Sequence, residues 1–143
     1  MSIQAILYEK GENVLAIAPD ASVKDAADRL RDQNVAALVV AKGQSILGIV
    51  SEHEIVHALS RHGVRAISMT VGDVLKTNVA TVAPEDSLKR AMSLMTRDRA
   101  RHVLVLRDAK LAGIVSVGDI VKHRLEDLEL GTHVSRDMQV AAH

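Results

Sequence analysis

The 143-residue sequence contains no cysteine, no phenylalanine and no tryptophan, and its one aromatic side chain beyond histidine is Tyr8. Without cysteine there are no disulfides and no thiolate chemistry. Without aromatics there is little on which a single-stranded nucleic acid could stack its bases. Charge of one sign is also missing. Lys+Arg and Asp+Glu both number 18, so no global basic field exists to hold nucleic acid or an anionic membrane. No basic segment leads into an apolar one at the N-terminus, and no apolar run is long enough to span a bilayer. These absences give the expectation of a soluble, cytoplasmic protein with neither nucleic acid nor membrane as partner. What is abundant is aliphatic: hydrophobic residues make up 48%. A chain of this length buries roughly two thirds of the surface it exposes unfolded. Its core must be Ala, Val, Ile, Leu and Met, which suits helices lying on sheets.

The chain also repeats itself. Subtracting 65 from residue numbers in the second half overlays Pro84 on Pro19, Ser87 on Ser22, Ala91 on Ala26 and Val105 on Val40. The run Gly113-Ile114-Val115-Ser116 falls on Gly48-Ile49-Val50-Ser51, with no gap between. Each copy reads as a short strand (Val14 to Ala18), a turn with a serine N-cap at Ser22, and a helix carrying Val23, Ala26, Ala27 and Leu30 at helical spacing. Two strands then follow, Leu38 to Ala41 and Ile46 to Val50, joined by a turn at Lys42 to Ser45. A second helix opens at Ser51, with Ile55, Val56 and Leu59 expected inward. Leu88, Ala91, Met92 and Met95 repeat the first helical stripe as core. The class is therefore α/β, with β-α-β-β-α occurring twice. Thr70-Val71-Gly72-Asp73 caps a short helix through Lys76, and Ile3 to Lys10, closed by Gly11, is its counterpart. The last helix runs through Leu125, Leu128 and Leu130 to Gly131. The repeats divide as 1–66 and 67–131, and the polar tail 132–143 is expected to fray.

One motif points elsewhere. His53-Glu54-Ile55-Val56-His57 spells the H-E-x-x-H of zinc hydrolases. On a helix both histidines share a face and Glu54 could serve as a general base. Three features weigh against it. The motif lies on a repeated element whose twin reads Gly118-Asp119-Ile120-Val121-Lys122. His62, the next histidine, points to the opposite side of the same helix at about 100° per residue. The longer zinc signature would need glycine at Ser60 and histidine at Gly63. No metal site and no catalytic residue are expected, and a zinc hydrolase stands only as a third reading.

Two units, each ending in Gly-Ile-Val-Ser and a polar turn into a helix, resemble a pair of cystathionine-β-synthase (CBS) repeats, the Bateman module. The stretch Arg101 to Val105 and Gly113 to Lys122 is similar to small stand-alone bacterial members. The resemblance implies repeats packed about a pseudo-twofold axis, with two clefts for AMP, ADP, ATP, an NAD-like molecule or another adenosine compound, and no required cofactor. It also implies a homodimer, and, since no effector domain is evident, a protein partner addressed in trans.

A nucleotide site needs an acceptor for the ribose diol, N–H groups or cations for phosphate, and an apolar slot for adenine. Ser116-x-x-Asp119 at a helix start meets the first two. The resemblance makes Asp119 the ribose ligand and Ser116 a polar contact. Gly118 permits close approach, Ile114 lines the base, and Val35, Ala36 and Ala37 face them. The second cleft would use Ile49, Ser51, His53 and Glu54, with Thr77, Ala100, Arg101 and His102 opposite. There the chain departs from the pattern of the family it resembles, whose stand-alone members usually carry Arg-Asp where it has His53-Glu54, while Arg97, Arg99, Arg101 and His102 offer a cationic cluster for phosphate. Each Ser-x-x-acid pair is also a capping box that needs no ligand. A structural or interaction module with empty clefts is therefore the alternative.

Overall fold

A computed structural model describes residues 2–11 and 14–131. The elements run α1 (Ile3–Lys10), β1 (Ala16–Ile17), α2 (Val23–Asp32), β2 (Ala37–Lys42), β3 (Ser45–Ser51), α3 (Glu52–His62), a 3₁₀ segment (Gly63–Ser68) and α4 (Val71–Val74). They continue as β4 (Thr81–Val82), α5 (Leu88–Asp98), β5 (His102–Arg107), β6 (Lys110–Ser116) and α6 (Val117–Gly131). The β-α-β-β-α order thus occurs twice. The expectation for residues 132–143 lies outside the described residues. The chain divides into two compact units, one of Asn13–Ala80, the other of Met1–Glu12 together with Thr81–His143.

In the unit of residues 13–80, β1 pairs parallel with β2, and β2 pairs antiparallel with β3, with a bulge between Val40 and Ala41. Ser22 starts α2 by accepting the Asp25 N–H at 3.0 Å. The helix then lays Ala26 and Leu30 on Ile17, Leu38, Val40 and Val50. Each fully buried valine, leucine or isoleucine among these contributes about 1.5–3 kcal/mol. Val71 of α4 joins the same core. Thr70 and Asp73 cap that helix reciprocally. It stops at Val74 rather than reaching Lys76, because the Lys76 backbone is recruited to the sheet. The Ile49 N–H donates to the Lys76 carbonyl at 3.0 Å, and the Lys76 N–H to that of Ile49 at 2.8 Å. Gly48 makes this approach possible, since a Cβ there would sit 2.0 Å from the Lys76 oxygen.

The other unit repeats the design. β4 pairs parallel with β5, β5 antiparallel with β6, and the bulge recurs between Val105 and Leu106. Its buried residues include Leu88, Ala91, Met95, Val103, Val105, Val115 and Ile120, joined by Ile3, Ile6 and Leu7 of α1. Here α1 takes the part that α4 takes in the first unit. Ile3 and Gln4 donate their N–H groups to Asp86 and Pro84 as Val71 and Gly72 do to Ala21 and Pro19. Ser2 bridges Ser87 as Thr70 bridges Ser22. The linking segments are therefore equivalent, but three residues out of step with the repeats. Unlike α4, α1 continues to Lys10, where Gly11 at φ +86° closes it by donating its N–H to the Leu7 carbonyl.

Three inward expectations fail. Val56 is 64% exposed, Leu59 42% and Met92 50%. On α3 the buried positions are Glu54 and Ala58, and Val56 lies about 200° around the helix from Glu54. On α5 the buried residues are Leu88, Ala91, Leu94 and Met95, which turns Met92 outward.

Candidate functional site

The candidate site forms where β6 hands over to α6. Gly113 to Ser116 complete the strand, and Ser116 stops it by capping the helix. Its Oγ accepts the Asp119 N–H at 3.1 Å, while Asp119 Oδ2 accepts the Ser116 N–H at 2.9 Å. This reciprocal pair places Asp119 in the first turn of α6, where backbone N–H groups point outward and favour an anion. Ile114 is buried behind it, and Gly118 is exposed.

Asp119 has a partner that the sequence does not reveal. Lys10, at the end of α1, places its Nζ 2.6 Å from Asp119 Oδ2 and 2.6 Å from the Ile114 carbonyl oxygen. That carbonyl is the counterpart of the Ile49 carbonyl, which in the other unit receives the Lys76 backbone N–H. A side-chain ammonium thus replaces a main-chain donor, because α1 runs on where α4 stops. Burial pushes the Asp119 carboxyl up, but the Lys10 hydrogen bond, the Ser116 N–H, the Lys10 charge and the Ser116 hydroxyl outweigh it and hold it below its usual value. No local signal marks Lys10, which stands 109 residues from Asp119.

Residues assigned to the second cleft partly gather in this same unit. The Val117 N–H donates to the Arg101 carbonyl at 2.9 Å, and His102 pairs with Ser116 in the sheet register. Ala100 is half-buried and Arg101 exposed. Arg97 is bound to Asp98 at 2.9 and 3.2 Å; that hydrogen bond and the Asp98 charge raise its pKa further. Of the cationic cluster, Arg97 is therefore already paired.

In the unit of residues 13–80, Val35, Ala36 and Ala37 lead into β2, and Ala37 pairs with Ser51. Ile49 is buried, and Thr77 is exposed just beyond the Lys76 bridge. Glu54 is only 8% exposed. Its Oε1 accepts both the Ser51 N–H at 2.8 Å and the Ser51 hydroxyl at 2.6 Å, while the His53 N–H reaches Ser51 Oγ at 3.3 Å. Like Asp119, Glu54 folds back onto its own cap, but here the serine hydroxyl also donates to the carboxylate. His53 and His57 are exposed, with stacked rings 6.5 Å apart. Glu54 is thus spent in the cap rather than poised as a base. The one cluster of three metal-capable side chains among the described residues lies elsewhere, at Glu9, His123 and Glu126.

A family model described as the CBS domain matches residues 11–61 and again 71–126. The chain belongs to the CBS domain family. It carries the domain in tandem, as the repeat and the two small sheets require. It is similar to the CBS domain-containing protein CBSX3, mitochondrial, of Arabidopsis thaliana, 33% identical over 147 residues, spanning 93% of this chain and 71% of that protein. The crystal structure of the CBS-domain containing protein ATU1752 from Agrobacterium tumefaciens superposes with a TM-score of 0.84 at 33% identity, covering 87% of this chain and 99% of that one. Human 5'-AMP-activated protein kinase subunit gamma-3 is 29% identical over 117 residues, 76% of this chain and 23% of its own length. Among the described residues no helix is long and apolar enough to cross a membrane.

Proposed function

We propose that this CBS pair is a non-catalytic regulatory module that binds an adenosine-containing nucleotide and reports it to a partner in trans. The observation that carries the reading is the half-buried Asp119 carboxylate, fixed by Ser116 at the start of α6 with an ammonium beside it. A fixed carboxylate accepts from both hydroxyls of a ribose diol. The ammonium and the α6 N–H groups suit phosphate. On binding, Asp119 exchanges Lys10 for the diol and Lys10 turns to the phosphates. Kinship with a subunit whose name carries 5'-AMP activation supports an adenine nucleotide. The exposed line Val117, Val121, Leu125 and Leu128 along α6 supports a homodimer joined through this helix. A cytoplasmic location belongs to the same reading, and cell fractionation tests it.

A second reading has its own observation. Lys10 already satisfies Asp119, and Ser51 satisfies Glu54, so both carboxylates are content without ligand and the module could be purely structural. Thermal denaturation with AMP, ADP, ATP and NAD separates the two. A ligand at 100 times its Kd adds about 2.7 kcal/mol, and Asp119→Ala should remove that shift. Melting points unmoved by millimolar nucleotide would leave the structural module.

A further inference from the structure

We propose that Glu9, His123 and Glu126 form a binding site for a divalent transition cation that fastens α1 to α6. His123 is 7% exposed, yet among the described residues its Nδ1 makes no hydrogen bond. That nitrogen lies 3.4 Å from Glu9 Oε2, and Glu126 follows one helical turn later on the same face of α6. One ligand atom from each of the three lies within 4.8 Å of the others. A tetrahedral ion with bonds near 2.0–2.1 Å needs its ligands about 3.3 Å apart. Rotation of the exposed Glu9 and half-buried Glu126 side chains can close that difference.

The far side of the ring strengthens the assignment. Asp127 Oδ2 lies 3.7 Å from His123 Nε2, and that oxygen is itself buried without a hydrogen bond among the described residues. A metal on Nδ1 leaves the proton on Nε2, facing this carboxylate, which is the arrangement that orients metal-bound histidines. One imidazole and two carboxylates suit zinc, manganese or iron(II) better than the all-oxygen shells of magnesium and calcium. Because Glu9 precedes Lys10, an ion here would also steady the turn that delivers Lys10 to Asp119.

The test is zinc titration by calorimetry on chelator-stripped full-length protein carrying His53→Gln and His57→Gln, since that exposed pair is a rival site. One equivalent of zinc should still bind. Glu9→Gln and Glu126→Gln should abolish it or weaken it at least tenfold, and Asp127→Asn should weaken it by about 10–100-fold. His123 is buried and its removal endangers folding, so the carboxylate variants, checked for unchanged melting without metal, carry the test. Zinc lost with His53 and His57, zinc indifferent to Glu9 and Glu126, or no zinc bound would each overturn the proposal. The last result would leave His123 as a buried side chain flanked by Glu9 and Asp127 with no metal to hold.

Discussion

Replacing Gly48 by alanine should cost this protein more than replacing its repeat twin, Gly113. At Gly48 the backbone sits at φ +156°, and an added Cβ would meet the Lys76 carbonyl oxygen at 2.0 Å and its carbon at 2.9 Å. Ordinary C···O contact begins at about 3.3 Å, so the linker must retreat by more than an ångström. That retreat breaks the two bonds between Ile49 and Lys76, worth about 1 kcal/mol each. Strain at this φ adds about 1–3 kcal/mol. The sum is about 4 kcal/mol, or a melting point lower by roughly 10 °C for a chain of this size. At Gly113 the added Cβ meets only the tip of Leu7, at 2.6 Å, and the backbone lies outside the left-handed region. Displacing the tip of that buried leucine is an overpacking cost of about 1–3 kcal/mol, with no backbone hydrogen bond broken and no backbone strain added. Calorimetric melting of both variants decides the matter. Equal losses, or a Gly48→Ala protein that melts like the parent, would refute the claim that the linker closes on the sheet.

Two further outcomes rest on the same geometry. Asp119 is held below its usual pKa, so its contribution is present above about pH 4, the unfolded carboxylate value, and drains away as acid carries the folded group through its depressed pKa. Urea midpoints across acidic pH should therefore fall less steeply for Asp119→Asn and Lys10→Met than for the parent; parallel curves would show that the ion pair is idle. Leu125→Asp should convert a dimer to a monomer by light scattering, because Leu125 is 56% exposed within the chain and free to lie in the interface, and a parent protein that is already monomeric would remove that interface.

Much of the architecture is legible because the code is written twice. The gapless overlay, the serine caps at Ser22, Ser51, Ser87 and Ser116, and the aliphatic runs of the central strands each rest on local rules that the structure obeys. Helix faces are less legible. Val56, Leu59 and Met92 read as inward from their chemistry, whereas the inward face of α3 carries Glu54, whose charge disguises a buried position. Asp119 is identifiable as a candidate site residue from its spacing to Ser116. Lys10 is not, since its role comes from packing between distant segments and from α1 outrunning α4, a difference of length rather than of motif. His123 is invisible for the same reason, as its partner Glu9 comes from the other end of the chain.

The way the linking helices are shared also sets an order of assembly. Residues 13–80 are continuous, so this half can acquire its tertiary contacts while the ribosome is still adding the remainder of the chain. The half built from residues 1–12 and 81–143 cannot. Its α1 is made ahead of the strands that shelter it and waits, Ile3, Ile6 and Leu7 uncovered, until β5 and β6 have followed. Slow or interrupted translation would lengthen that exposure, so the hazard of misassociation falls on α1 rather than on any element of residues 13–80.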